Sequence, residues 1–418
     1  SVIRFMILLL SLSFYQPQLH YATWVEKNSK PVAVPPLSSL QLRKSEKWRA
    51  YPAEILPMPF AVMDFELSEP IKKSLIDLVN NSDAGYLGKI PELGQSLTNF
   101  SANRWNWKIA PEDIKICPDV GVGVIEVCRQ IVKPGDQIMI NTPVYYNFFN
   151  WIKELNCKPY DAPLIENQLT YSLDFEKIAE GYASGVKVHI LCNPHNPVGA
   201  VFSQLDLAKL ADLADEFGVV IASDEIHAPL TYKEKSFTPF LNSSAVAKEV
   251  GISFLSATKS WSIAGLKCAQ IVAVGEKTRQ IVAGIPTAVH SRASLFGAVA
   301  SAAAYGESID WLDSVVAQLD QSRTYLGGLL SELQFDIGYR EPDGGYFGWL
   351  DLRSVDKFKN LNSREDIAEL LLTHGKIAVA PGHLYGPSGT GFIRINFATS
   401  FEIIEESVKR IKSTLEMI

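Results

Sequence analysis

Short apolar runs recur along this chain, separated by longer stretches in which apolar positions return every three or four residues. Gln137–Asn141 (QIMIN), Val186–Cys192 (VKVHILC), Val219–Ser223 (VVIAS), Ile252–Leu255 (ISFL) and Gln270–Val274 (QIVAV) are nearly continuous and rich in β-branched residues. Runs of this kind fit strands buried on both faces, the pattern of a parallel sheet. Glu69–Asn80 and Gln204–Phe217 carry the periodicity of amphipathic helices. Strands alternating with helices predict an α/β fold with a mostly parallel sheet covered on both sides. Ligands then bind beyond the carboxyl ends of the strands.

Past about Asp320 the pattern changes. A long helix over Trp311–Leu333 bridges two parts. Gly344-Gly345-Tyr346-Phe347, a helix near Glu365–His374 and a strand-like run over Gly391–Ala398 follow, as in a smaller α+β domain. The predicted division is an extension over 1–36, an N-terminal part of the small domain over 37–80, a large domain over 81–319 and the rest of the small domain over 320–418. Pro31–Pro36 (PVAVPP) reads as a stiff linker. Phe5–Tyr15 (FMILLLSLSFY) follows Arg4 and resembles the apolar part of a secretory signal, but lacks a clear small-x-small cleavage site. It is short for a bilayer span. Two readings stand: an extension ahead of the domain, or an export signal.

The 418 residues carry a formal net charge of -7 without basic blocks, which argues against a broad electrostatic surface for nucleic acid. Cys117, Cys128, Cys157, Cys192 and Cys268 are scattered, with no C-x-x-C pair or Cys/His cluster. Neither a disulfide framework nor a metal site is expected, and a cytoplasmic setting is the simpler reading.

The candidate chemistry lies just after the apolar runs. Lys259 sits in Ser256-Ala257-Thr258-Lys259-Ser260, Lys267 follows it, and Asp224 closes the run VVIAS. A lysine to condense with an aldehyde, a carboxylate to face a pyridine nitrogen, and hydroxyl and cationic groups for a phosphate are what pyridoxal phosphate requires. The bland alternatives are a surface lysine and a helix-capping acid. Asn193-Pro194-His195-Asn196-Pro197-Val198-Gly199 forms either a structural turn or one that aims Asn196 at the cofactor's 3′-oxygen. Asp119-Val120-Gly121-Val122-Gly123 reads as a loop before a helix over Val124–Val132, with N–H groups suited to phosphate. Tyr145 is either a core aromatic or a ring that stacks on the pyridine. Arg394 is one charge inside the apolar strand Phe392–Asn396, placed for a carboxylate unless it faces water at a sheet edge.

From about Leu37 to the C-terminus these motifs, in this order, resemble the fold-type I pyridoxal-phosphate enzymes of the class I/II aminotransferase family. Lys47-Trp48, Leu56-Pro57, Met63-Asp64-Phe65, Ser223-Asp224-Glu225-Ile226-His227 and Ala264-Gly265-Leu266-Lys267 are similar to its carbon–sulfur lyase branch, the cystathionine β-lyases of MalY/PatB type. The resemblance implies a seven-stranded, mostly parallel sheet and a homodimer acting on a small amino acid, with no nucleic acid or membrane partner. It makes Lys259 the cofactor-binding and catalytic lysine, Asp224 the partner of the ring nitrogen and Asn196 the 3′-oxygen ligand. His227 stands where many relatives carry tyrosine. Val120, Gly121, Ser256 and Lys267 would hold phosphate, and Tyr145 would cover the ring. Arg394, with backbone near Ala61, would bind the substrate carboxylate. Tyr86 would reach the neighbouring subunit's site. The implied activity is α,β-elimination of L-cystathionine or a related thioether to thiol, pyruvate and ammonia. The alternatives are transamination and, less in keeping with the intact lysine, aspartate and arginine, a non-catalytic ligand sensor. Two departures from the branch stand out. Pro59 to Phe65 lacks the branch's tryptophan and acid ahead of Met63, and Asp119 with two glycines replaces a Gly-Val-Val-Pro-like run. An acid beside a phosphate is unfavourable unless its side chain turns away.

Overall fold

The computed structural model describes residues 32–356 and 366–417. The signal-like run Phe5–Tyr15, Pro31 of the predicted linker and Glu365 lie outside the described residues. Seven strands form the large sheet: β1 (Ile114–Cys117), β2 (Gln137–Ile140), β3 (Lys158–Asp161), β4 (Val188–Cys192), β5 (Val220–Asp224), β6 (Gly251–Leu255) and β7 (Ala269–Val272). Their order is β1-β7-β6-β5-β4-β2-β3. β4, β5 and β6 run parallel, as do β2 with β3 and β4, while β7 runs against both of its neighbours β6 and β1.

The alternation of side chains along each strand divides the core in two. Met139, Leu191, Ile221, Leu255 and Val272 face one layer, with Leu207 and Leu210 of a helix over Gln204–Phe217. Ile138, Ile140, Ile190, Ala222, Phe254 and Ile271 face the other, with Val124 and Val127. Because both faces are covered, the strands read as continuous apolar runs rather than alternating ones.

Glu69–Asn80 (α1) is helical over the predicted range and packs on Leu295–Glu307 (α3), a helix of the large layer. The phosphate-loop prediction needs correction. Val120–Arg129 is a helix (α2) that begins four residues before Val124, so Val120, Gly121, Val122 and Gly123 form its first turns. The Asp119 carboxylate accepts the Val122 N–H and caps the helix, a sufficient local signal for an earlier start. Both glycines answer to packing. A methyl on Gly121 would come within 2.9 Å of the Trp151 ring, and one on Gly123 within about 3 Å of Cys117 and Phe254.

The bridging helix spans Ile309–Ser331 (α4) and packs on the C-terminal helix Phe401–Met417 (α5). A second, antiparallel sheet has the order β8 (Gly338–Tyr339), β9 (Phe347–Asp351), β11 (Phe392–Asn396), β10 (Ala380–Pro381). Arg394 is therefore on an interior strand, not at an edge facing water. Leu56–Pro57 pairs in parallel with Ile377–Ala378. The segment after it is laced to β11: Met58 O accepts the Asn396 N–H, and Asn396 Nδ2 donates to Phe60 O and Val62 O. Lys47 and Asp64 form a fully buried ion pair at 2.7 Å, and Trp48 Nε1 donates to the same carboxylate at 3.0 Å. The motif Lys47-Trp48 with Met63-Asp64-Phe65 is thus a clamp on the chain that lines the site.

Candidate active site

The carboxyl ends of β1, β2, β4, β5 and β6 share one rim of the sheet, and the chemistry-bearing residues follow them. After β4, the turn Asn193–Gly199 is fixed at several points. The Asn193 N–H donates to Asp224 O at 3.0 Å, and Asn193 Oδ1 accepts the Phe202 N–H at 3.1 Å. The buried His195 ring lies 2.9 Å from Pro143 O and 3.1 Å from Cys192 O. Gly199 has φ +68°, and a Cβ there would meet Pro342 at 2.2 Å. Its carbonyl accepts the N–H groups of Asp343 and Gly344, which ties the turn to the second sheet. Held this way, Asn196 Oδ1 meets Arg394 Nη1.

Arg394 is buried. Its Nη2 donates to Pro59 O at 2.8 Å, its guanidinium lies 3.9 Å from the Phe347 ring centre, and its Nε has no partner. It has no carboxylate partner among the described residues. A buried guanidinium held only by neutral oxygens is a receptor for an anion.

Lys259 stands after β6 in a short helix and is half-buried, and its Nζ lies 3.4 Å from Ala61 O. Tyr346 Oη donates to the same carbonyl at 3.1 Å, while the Ala61 N–H makes no hydrogen bond among the described residues. Burial, and then the charges of Arg394 and Lys267, pull the Lys259 amine down to about 8, against the opposing pull of Asp224. A neutral amine is therefore accessible near neutral pH. Burial pushes the Asp224 carboxyl up to about 6; the Ile226 N–H and Lys259 oppose it. One Asp224 oxygen accepts that N–H at 3.1 Å, and the other accepts no hydrogen bond from the described chain. His227 is buried beside Tyr346 and Phe347; burial, then Lys259 and Arg394, lower it to about 3, and its Nδ1 has no partner. Tyr145, pushed up to about 12 mainly by burial, feels the charges of both Arg394 and Asp224.

The N–H groups of Val120 and Gly121, at the start of α2, make no hydrogen bond among the described residues. Lys267 Nζ lies 3.3 Å from Asp119 Oδ2. Ser256 Oγ lies 2.7 Å from both Cys268 O and Thr258 Oγ1 and accepts the Thr258 N–H. Tyr86 is not in this pocket; it is 94% exposed. Pro59, Tyr346, Phe347 and Trp151 went unrecognised in the sequence. Only the Gly344-Gly345 pair hinted at the first aromatics, and nothing local marks a carbonyl or a covering indole.

These groups fit pyridoxal phosphate. An amine near neutrality, a buried carboxylate with one oxygen uncommitted, an imidazole nitrogen and two helix-terminal N–H groups without partners among the described residues are what an aldehyde, a pyridinium, a phenolic oxygen and a phosphate would each occupy.

The sequence matches the family described as Aminotransferase class I and II over residues 62–411. It is 30% identical over 364 residues to Cystathionine beta-lyase PatB of Bacillus subtilis (strain 168), covering 87% of this chain and 93% of that protein. It is 30% identical over 381 residues to Cystathionine beta-lyase of Corynebacterium glutamicum, covering 91% and 99%. The crystal structure of cystalysin from Treponema denticola, which contains a pyridoxal 5′-phosphate cofactor, matches with a TM-score of 0.85 at 26% identity over 93% of this chain and 99% of that one. The chain belongs to the aminotransferase class I and II family, on its pyridoxal-phosphate-dependent carbon–sulfur lyase branch.

Proposed function

We propose that this chain catalyses α,β-elimination of L-cystathionine or a related cysteine thioether. The observation that carries the reading is the meeting of a lowered Lys259 amine with Asp224 on one side and the unpaired Arg394 on the other. Pyridoxal phosphate, when bound, supplies an aldehyde for the amine and a ring that withdraws electrons from Cα.

Lys259 is the residue that anchors the cofactor and later takes the Cα proton. Asp224 faces the ring nitrogen and keeps its charge stable in a buried setting. Asn196 and His227 border the 3′-oxygen, and Tyr145 covers the ring. The Val120 and Gly121 N–H groups and Lys267 receive the phosphate, with Ser256 shaping the loop beside them. Arg394 and the Ala61 N–H hold the substrate carboxylate, which fixes Cα beside Lys259. Loss of the Cα proton to Lys259 and departure of sulfur with the Cβ–S electron pair leave an enamine, which water converts to pyruvate and ammonia. Tyr86, exposed on one protomer, is assigned to the partner's site in a homodimer. Five unpaired cysteines suit a cytoplasmic enzyme.

The test is incubation of the loaded protein with L-cystathionine and no 2-oxo acid. Pyruvate and free thiol in equal amounts are expected, and both vanish in Lys259→Ala. Turnover that requires an added 2-oxo acid would make the chain a transaminase instead.

A further inference from the structure

We infer that Asp119 competes with the cofactor's phosphate for its own cradle, and so sets how loosely this chain holds pyridoxal phosphate. The inference rests on the function proposed above.

The Asp119 carboxylate is engaged at both oxygens. Oδ1 accepts the Val122 N–H at 2.8 Å, and Oδ2 lies 3.3 Å from Lys267 Nζ. Of the groups assigned to the phosphate, the Lys267 ammonium therefore already answers to an anion, and the Val122 N–H beside the other two is taken as well. Lys267 is the cation that both would use. Its backbone is held at φ +56°, uncommon for a residue with a side chain, and its carbonyl accepts the Ser294 N–H. The Ser256 hydroxyl is already engaged with the Cys268 carbonyl and the Thr258 hydroxyl. A phosphate carrying nearly two negative charges would enter beside a fixed carboxylate and share Lys267 with it. Asp119 cannot swing away without giving up the cap on α2. The acid at 119 is thus a standing rival of the phosphate, not a neutral passenger.

Asparagine caps a helix about as well as aspartate and serine does so too, and neither carries charge. The full-length protein is stripped of cofactor and titrated with pyridoxal phosphate, followed by the absorbance of the bound form. Asp119→Asn and Asp119→Ser are expected to lower the dissociation constant by about tenfold or more and to slow cofactor loss on dilution. The gap narrows at high salt, because Asp119 and Lys267 are both partly exposed. Inorganic phosphate should raise the melting temperature of the stripped Asn variant more than that of the stripped wild type. A dissociation constant unchanged or raised in either folded variant overturns the inference, leaving Asp119 as a cap or a holder of Lys267. A wild type that binds no cofactor defeats this inference and the proposed function together. A wild type that loads but eliminates nothing defeats only the proposed activity, and the ratio of dissociation constants still decides on Asp119.

Discussion

Arg394 Nη1 donates to Asn196 Oδ1 at 2.8 Å, across 198 positions of sequence. One residue sits in the turn after β4 of the large sheet and the other in the middle of β11, so the contact joins the two sheets at the site. Arg394→Lys keeps the charge but loses the fork that meets Asn196, Pro59 and a carboxylate together. It is expected to lower kcat/KM for amino-acid substrates by about 10²-fold or more, with KM rising more than kcat falls, consistent with about 2–5 kcal/mol for a buried charged contact. Steady-state kinetics read this directly, and an unchanged KM would remove Arg394 from substrate binding.

The lysine leaves a signature in stability. Lys259 titrates near 10.5 when unexposed to the fold and at about 8 inside it. Between those values the unfolded chain holds the extra proton, so the stability of the cofactor-free protein rises with pH. Below about 8 both states are protonated and the fold bears the whole penalty, roughly 3 kcal/mol at ~1.4 kcal/mol per pH unit. Cofactor-free Lys259→Met should therefore melt above the wild type at pH 7, with the advantage fading as pH passes 10. Equal melting temperatures at pH 7 would count against a desolvated amine.

Asp224 behaves as the mirror image. Its carboxyl titrates at about 6 in the fold against 3.8 outside it, so the folded state holds the extra proton between those values and stability falls as pH rises through them. Asp224→Asn should stabilise the cofactor-free protein at pH 7 and not at pH 3.5, while abolishing elimination. Thermal melts at the two pH values check the first part and the pyruvate assay the second.

Gly121 gives way to the indole above it. Gly121→Ala places a methyl 2.9 Å from Trp151 and should weaken cofactor binding by about tenfold through displacement of the first turn of α2. The ring atoms it meets belong to the six-membered part of the indole and the ring nitrogen, so Trp151→Phe should restore much of the loss. A double-mutant cycle on the pyridoxal-phosphate dissociation constant measures the coupling, and additive effects would mean that the clash is not the cause.

The Lys47–Asp64 pair predicts a structural phenotype distinct from these. Lys47→Met leaves a fully buried carboxylate with the Trp48 N–H and the Arg43 guanidinium, 3.9 Å away, and should cost about 3–5 kcal/mol. Denaturant midpoints report the loss. A midpoint within error of wild type would show that Trp48 and Arg43 suffice to hold Asp64.

Much of this was legible in the sequence, for physical reasons that differ by residue. The strands of the large sheet declare themselves because two covered faces demand unbroken apolar runs, and Asp224 and Lys259 declare themselves by interrupting the chain where such runs end. Gly121 misled. Two glycines suggest a loop, yet here they open a helix because Trp151 and Phe254 leave no space for a Cβ. The cap at Asp119 was the signal that outweighed them. Ser256 was readable as a hydroxyl in the right motif but its contacts with Cys268 and Thr258 were not. The backbone near Ala61 entered only through the resemblance, and the Pro59 carbonyl and the Tyr346 hydroxyl were beyond reach, since their neighbours lie hundreds of positions away and backbone groups leave no mark in composition.

The reversed course of β7 has a consequence for how cheaply the site is assembled. A parallel successor to β6 would have needed a helix to carry the chain across the sheet, and residue 267 would have emerged at the far side. By doubling back, the polypeptide keeps both lysines on the same shore, within the thirteen residues that run from the end of β6 at Leu255 to the start of β7 at Ala269. A single change of strand direction thus concentrates positive charge where an anionic cofactor must land.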